Sequence, residues 1–338
     1  MGIDLKHPSF SQSLNFDLGE GGVCRYLFSM AAHEKISGQQ VYFTSSESME
    51  LVKDGSIDFV MTSPPYWDLK DYGHEKQIGR SSYEDYLERL GKVWDECFRK
   101  AKDNGVMVVN VNSRRSKGEF YPLAFDIARS VRGWKLWDVL IWYIPNALPQ
   151  PNAYMERLHD NKFEYLMVFL KGDSKSYKFH KPRVPQKYIK LDPRAHKKNP
   201  KGRCMGNIFR IPAYRPPNIR KQGYHVAAYP EELVALMLET YTDKGDYVLD
   251  PFLGSGTTLK VSRVMGRSGI GFELNEDFKP LIKSRINEEW SVPDWSKLDL
   301  IISSSANPLD RVGPRKPKQT KGVKRTLDSG KGPELPLD

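Results

Sequence analysis

The sequence predicts an α/β fold in which helices alternate with the strands of a sheet. Short apolar runs of the kind that form buried strands lie at 41–43, 57–61, 106–109 and 247–249. Between the second and third runs, apolar side chains recur at three- and four-residue spacings, which is the period of an amphipathic helix. A chain of 338 residues with 39% apolar content can bury such a core and still carry one inserted module.

The first helix and the strand after it have clear boundary signals. Ser82 is placed to cap a helix whose apolar face runs from Tyr83 to Phe98. Gly105 lies where that helix is expected to end, and Val106–Val109 is then predicted to be a buried strand. We therefore expect a helix between the second and third strands.

The second half of the chain repeats the alternation. Val139–Tyr143 and Phe163–Leu170 are predicted to be a further pair of strands. Pro230 suits the first turn of a helix that continues to Thr240. Tyr247–Leu249 then forms a strand that leads directly into a glycine-rich loop.

Two loops that follow predicted strands carry most of the chemical information. The first is Thr-Ser-Pro-Pro-Tyr-Trp (62–67), and the second is Asp-Pro-Phe-Leu-Gly-Ser-Gly-Thr-Thr (250–258). Because ligands collect at the carboxyl ends of the strands in an α/β sheet, both loops can open onto one crevice.

Positive charge is concentrated in one block of the chain. The segment 171–221 holds sixteen lysines and arginines against two aspartates, whereas the net charge of the whole chain is +10. Aromatic residues are interleaved with the basic ones, which favours a nucleic-acid-binding surface over the alternative, a solvated flexible loop. The candidate contacts in this block are Lys181, Arg183, Lys187 and Lys190.

The cysteines and the hydropathy pattern narrow the class of protein. Cys24, Cys97 and Cys204 are an odd number without metal-ligand spacing, so we expect reduced thiols, no disulfide framework and no metal site. No apolar stretch approaches the roughly 20 residues that span a bilayer. The first residues lack an apolar signal core. The expected location is the cytoplasm.

The two loops resemble the paired motifs of DNA methyltransferases that modify exocyclic amino groups. The first resembles their Ser-Pro-Pro-Tyr box and the second their S-adenosylmethionine loop. The amino-binding loop comes first in the chain, which is the permuted order of the β group of these enzymes. The resemblance covers residues 41–170 and 223–290. It implies a circularly permuted Rossmann-like, S-adenosylmethionine-dependent methyltransferase with an inserted DNA target-recognition region.

This resemblance divides the chain into five parts. They are an N-terminal extension (1–40), a catalytic half (41–145), a basic target-recognition region (146–222), a cofactor-binding half (223–302) and a basic tail expected to be disordered (303–338). Double-stranded DNA is the implied partner, and a cognate restriction endonuclease is a further expected one.

The resemblance also assigns the cofactor residues. The implied binding shell for S-adenosyl-L-methionine is Asp250, Phe252, Gly254, Ser255, Gly256 and Thr257. The free N–H groups at the start of the following helix suit the carboxylate end of the cofactor. Glu273 ends the next predicted strand, 23 residues after Asp250, where an acidic residue grips ribose hydroxyls in Rossmann-like units. Taken alone, Glu273 could equally be a surface carboxylate.

The catalytic residues are assigned from the first loop. By resemblance, the Ser63 hydroxyl and the Pro64 carbonyl accept hydrogen bonds from the exocyclic amine, whose lone pair must turn away from the ring. Pro64 and Pro65 fix the backbone and donate nothing that competes. Tyr66 is expected to stack on a base flipped out of the duplex.

The identity of the target base depends mainly on Ser63. Adenine-N6 enzymes of the group usually carry an acidic residue at this position, so the serine favours cytosine N4, with adenine N6 as the alternative. No cysteine of the chain follows a proline, which excludes the covalent mechanism of cytosine-C5 enzymes. An inactive DNA-binding relative is the alternative from a different class. The sequence departs from the family pattern at Ser45-Ser46 and at 112–114, where Gly-Asp and Gly-Asp-Ser are usual.

Overall fold

A nine-stranded mixed sheet forms the centre of the protein. The computed structural model describes residues 32–69, 74–149, 156–184, 203–213 and 228–295. The strands of the large sheet are β1 (Ala32–Ile36), β2 (Gln39–Phe43), β3 (Ile57–Thr62), β4 (Ala101–Val111), β7 (Lys135–Tyr143), β8 (Phe163–Leu170), β11 (Ile208–Arg210), β12 (Tyr247–Asp250) and β13 (Ser268–Phe272). Two small two-stranded sheets pair β5 (Arg114–Ser116) with β6 (Glu119–Tyr121) and β9 (Arg183–Val184) with β10 (Arg203–Cys204).

The helices pack on both faces of this sheet. They are α1 (Tyr83–Lys100), α2 (Leu123–Ser130), α3 (Glu231–Tyr241), α4 (Thr257–Val264) and α5 (Lys279–Asn287). The strand order is β1-β2-β13-β12-β3-β4-β8-β7-β11. The run from β2 to β4 is parallel, whereas β8 is antiparallel to both of its neighbours. The predicted α/β class is confirmed.

The buried strand β4 divides the core in two. Val106 and Val108 pack in the cluster that contains the apolar side of α3, while Met107 and Val109 pack in the cluster that contains α1 and α2. Successive residues of a strand point to opposite faces, so an unbroken apolar run supplies both layers at once.

Helix α1 begins as predicted but ends earlier than Gly105. Its first turn is capped by Ser82, whose side-chain oxygen accepts a hydrogen bond from the backbone N–H of Asp85. The helix stops at Lys100, and Gly105 lies within β4. The last carbonyls of the helix, on Arg99 and Lys100, accept hydrogen bonds from the turn that precedes β3. A contact distant in sequence therefore sets this helix end, which is why the local pattern misplaced it.

Strands of the large sheet lie on both sides of two predicted boundaries, those near residues 41 and 146. Strands β8 and β11 lie within 146–222, yet both belong to the main sheet, β8 between β4 and β7. Strand β1 and the start of β2 lie before residue 41 and form one edge of the same sheet. Within the described part of 146–222, β8 and β11 therefore belong to the same sheet as the strands of 41–145.

Two of the three cysteines lie in the described part of the chain. Cys97 is buried and Cys204 is exposed, and both are free thiols, whereas Cys24 lies outside the described residues. Burial raises the pKa of the Cys97 thiol well above its usual value. Within the described ranges, no helix is both long and apolar enough to cross a membrane.

Candidate active site

The two loops singled out in the sequence lie side by side. They follow β3 and β12, which are neighbouring parallel strands with Val60 paired to Leu249. The carboxyl ends of both strands therefore meet at one edge of the sheet, which is where α/β proteins place their ligand crevices.

A cleft opens at this edge of the sheet. Residues from both loops line it: Ser63 and Pro65 from the first, and Pro251, Phe252 and Gly254 from the second. The rest of the lining comes from neighbouring loops and the end of β13: Thr44, Ser45, Ser46, Lys76, Gln77, Ile78, Phe272, Glu273, Leu274 and Phe278.

A buried carboxylate connects the two loops. Asp250, which is 1% exposed, accepts a hydrogen bond of 2.7 Å from the Thr62 hydroxyl at the end of β3. It also accepts hydrogen bonds from the Tyr229 hydroxyl (3.1 Å), the Thr258 hydroxyl (2.5 Å) and the backbone N–H of Phe252 (3.1 Å). Burial raises the pKa of Asp250, and these hydrogen bonds lower it in part. Asp250 therefore holds the loops together and does not line the cleft.

Glu273, at the end of β13, lines the cleft. Its carboxylate accepts hydrogen bonds of 2.9 Å from the backbone N–H groups of Gly254 and Asn275. Burial raises the pKa of this carboxyl to about 7. A carboxylate beside the apolar side chains of Phe252, Leu274 and Phe278 offers hydrogen-bond acceptors to sugar hydroxyls and apolar surface to a flat ring. These residues fit an adenosine group.

Three residues of the predicted cofactor shell, Ser255, Gly256 and Thr257, do not line the cleft. Ser255 and Thr257 are buried, and a side chain added at Gly256 would meet Ile282 and Ile286 of α5 at 3.5 Å. Helix α5 therefore packs against Gly256 at the start of α4. The assignment of the α4 N–H groups to the carboxylate end of the cofactor stays a prediction.

The first loop is held by contacts that the sequence did not suggest. The Tyr66 hydroxyl donates a hydrogen bond of 3.0 Å to Glu164 on β8, and the Asn110 side-chain amide donates one of 2.6 Å to the same oxygen. Pro64 is buried, and the Pro65 carbonyl accepts a hydrogen bond of 2.8 Å from the Tyr86 hydroxyl. Burial raises the pKa of Glu164. The ring of Tyr66 is therefore fixed by a carboxylate 98 residues away in the chain.

Two of the four predicted DNA contacts, Lys181 and Arg183, lie away from this loop. Lys181 and Arg183 are exposed and follow His180, whose backbone N–H donates to the carbonyl of Thr240 at the end of α3. That helix leads into the amino end of β12, so these residues lie toward the edge opposite the cleft. Lys187 and Lys190 lie outside the described residues.

Two lysines that open the basic block make internal contacts. Lys178 forms an ion pair of 2.6 Å with Asp246, next to the amino end of β12. The Lys171 ammonium donates hydrogen bonds to the carbonyls of Phe98 and Ala101. The charges of these two lysines are therefore engaged in the fold.

Comparison with known proteins identifies the family. A sequence profile of the N6/N4 DNA methylases matches residues 57–284. The chain belongs to this family of DNA methylases. Membership gives S-adenosyl-L-methionine as the methyl donor and DNA as the substrate.

Individual relatives agree with this assignment. The methylase is 30% identical over 283 residues to the type II methyltransferase M.MthZI of Methanothermobacter thermautotrophicus, covering 74% of this chain and 76% of that one. It is also 30% identical to the type II methyltransferase M.SmaI of Serratia marcescens, covering 71% of this chain and 87% of the relative. Among solved structures, the cytosine-N4-specific PvuII DNA methyltransferase is similar with a TM-score of 0.59 and 20% identity, covering 77% of this chain and 91% of that one. This likeness supports the methyltransferase fold.

The bond between Thr62 and Asp250 should contribute measurably to stability. Thr62→Val removes a hydrogen bond to a buried carboxylate, so we expect the free energy of unfolding to fall by about 1.5–3 kcal/mol. Urea denaturation measures this change. Thr240→Val is the matched control, because the Thr240 hydroxyl is also buried but donates only to a carbonyl of its own helix. Equal losses in the two variants would contradict the proposed importance of the bond to Asp250.

Proposed function

We propose that this methylase transfers a methyl group from S-adenosyl-L-methionine to the exocyclic N4 amine of a cytosine that is flipped out of double-stranded DNA. The observation that carries the proposal is the position of Ser63, a neutral hydroxyl, in the cleft that also contains Phe252, Gly254 and Glu273. In the β group of DNA amino-methyltransferases, which the two loops resemble, adenine-N6 enzymes usually carry an acidic residue at this position. A hydroxyl is typical of the cytosine-N4 members.

The first loop offers the groups that an exocyclic amine needs. The lone pair of such an amine is delocalised into the base, so the amine must be turned before it can act as a nucleophile. In our proposal, the Ser63 hydroxyl and the Pro64 carbonyl accept hydrogen bonds from the two N–H groups. Tyr66 stacks on the flipped base. Glu164 accepts the hydrogen bond from the Tyr66 hydroxyl, and Asn110 donates to the same carboxylate and so holds it in place.

The second loop provides the surface for the cofactor. Bound S-adenosyl-L-methionine supplies an electrophilic methyl group on its sulfonium. Phe252 and Gly254 would bound the adenosine end, and Glu273 would accept hydrogen bonds from its ribose hydroxyls. Asp250 acts on this surface indirectly, since it fixes the backbone N–H of Phe252. The remaining predicted shell residues, Ser255, Gly256 and Thr257, would support the loop from behind.

The biological setting that we propose is DNA modification. The relatives at 30% identity are named type II methyltransferases, which supports a role beside a cognate restriction endonuclease or as an orphan modification enzyme. The predicted target-recognition role of 146–222 remains part of this proposal, with β8 and β11 reassigned to the catalytic sheet.

The modified base can be identified directly. The methylase is expressed in a host that lacks DNA methylation, and its DNA is digested to nucleosides and analysed by mass spectrometry. We expect N4-methylcytosine. N6-methyladenine would overturn the assignment of the base while keeping the reaction class. The absence of both, in a protein that still binds DNA, would support the inactive relative instead.

Ser63→Ala should separate catalysis from cofactor binding. The substitution removes an acceptor whose interaction matters most in the transition state, so kcat should fall by about a hundredfold, by analogy with the loss of one oxyanion-hole donor. The dissociation constant of the cofactor, measured by calorimetry, should not change. Ser56→Ala is the control, because Ser56 is a hydroxyl at the other end of β3 that bonds only to Lys53. Wild-type turnover in Ser63→Ala would contradict the assigned role.

Cofactor binding should depend on pH near neutrality. The pKa of Glu273 is about 7 in the free protein, so its carboxyl is mostly protonated at pH 6 and mostly ionised at pH 8. Ribose hydroxyls donate to the ionised form, so affinity should rise by about tenfold over this interval. Glu273→Gln should bind more weakly and with no such rise. Glu276→Gln, which changes an exposed carboxylate in the next turn, should keep the wild-type profile. A flat profile in the wild type would show that the carboxyl does not contact the ribose.

A further inference from the structure

A short hairpin stands beside the catalytic loop and has no role assigned so far. Strands β5 and β6 leave the carboxyl end of β4, at the edge of the sheet that carries the cleft. The turn between them is Lys117-Gly118, and both residues have positive φ angles, 50° and 87°. This is the backbone pattern of a tight two-residue hairpin turn. The tip of the hairpin is therefore closely defined.

One face of the hairpin is fixed to the catalytic loop. Asp68, two residues after Tyr66, accepts hydrogen bonds of 2.7 Å from Arg114 and 2.8 Å from Ser116. The ring of Tyr121 lies 4.7 Å from that of Trp67. Because these contacts reach both strands, the hairpin and the Ser-Pro-Pro-Tyr loop form one unit.

The other face of the hairpin is turned away from these contacts. Side chains alternate along a strand, so Arg115 and its cross-strand partner Phe120 lie on the face opposite to Arg114 and Ser116. Phe120 is 57% exposed, and the Arg115 guanidinium lies 5.4 Å from the centre of its ring. Lys117 is exposed at the tip. The hairpin thus presents two cations and an aromatic ring at its outer end.

This chemistry matches a ligand that carries both phosphates and flat rings. A ring exposed to this extent contributes little to the core, whereas stacking on aromatic and arginine side chains is a common way to hold unpaired bases. Phosphates supply the complementary charge for Arg115 and Lys117. The position is also suitable, since a duplex that delivers a base to Ser63 must pass the rim of the cleft.

We propose that the hairpin at 114–121 is a DNA-contact element of the active site. Arg115 and Lys117 bind phosphates next to the flipped nucleotide, and Phe120 packs against a base of the opened duplex. The proposal rests on the function proposed above. It places DNA contacts at the cleft edge, in contrast to Lys181 and Arg183, which lie toward the opposite edge.

The salt dependence of DNA binding tests the charged residues. Each phosphate contact contributes about −0.9 to the slope of log K against log salt, so the double variant Arg115→Gln/Lys117→Gln should flatten the slope by about 1.8. The control is Lys53→Gln/Lys244→Gln, which removes the same charge from exposed positions at the amino ends of β3 and β12. Equal slopes in the two double variants would overturn the proposal for Arg115 and Lys117.

Initial rates on unmethylated genomic DNA test the aromatic residue. Phe120→Ala should raise the KM for DNA by about fivefold or more, because it removes a stacking contact, and it should leave cofactor affinity unchanged. Leu51→Ala, which removes an apolar side chain of similar exposure at the amino-end edge of the sheet, should leave both values unchanged. An unchanged KM in Phe120→Ala would overturn the role of the ring. A further outcome is that the wild-type protein methylates DNA while the hairpin variants show the same salt slope and KM as their control variants. That result overturns the inference and leaves the proposed function standing.

Discussion

The site depends on one buried carboxylate, Asp250, which joins the strand ends on which both functional loops begin. It accepts hydrogen bonds from Thr62 at the end of β3, from Thr258 in α4 and from Tyr229 before α3. An unpaired carboxylate would be costly at this depth, and these donors offset that cost only while all three elements remain in place. The separation between the loops at 62–67 and 250–258 is therefore set by hydrogen bonds in the core and not by the loops themselves.

Two more carboxylates act in a similar way at the same edge of the sheet. Glu164 stands near the start of the antiparallel strand β8 and holds Tyr66. Glu273 follows the parallel strand β13 and holds the backbone of Gly254. Burial raises the pKa of each of these groups. Because the antiparallel strand begins where the parallel strands end, carboxylates from both kinds of strand meet at one cleft and preorganise it.

The positions of the basic residues in the fold differ from what their concentration along the sequence suggests. The basic block is the largest concentration of positive charge in the sequence, yet Lys171 and Lys178 are engaged within the fold. The hairpin carries few charges, but Asp68 fixes it beside Tyr66. Since screening limits the reach of a charge to about 8–10 Å at physiological salt, position relative to the cleft matters more than the number of charges.

The sequence by itself determined the α/β class, the start of α1 at Ser82 and the position of both functional loops after strands. Each of these follows from local signals, namely hydrophobic period, a capping side chain and glycine or proline at turns. Tertiary structure alone decided the end of α1 at Lys100, the covering of Gly256 by α5 and the approach of Glu164 to Tyr66. These features depend on partners that are distant in the chain, and such partners are chosen by packing and hydrogen bonding in the folded core, which no local pattern encodes.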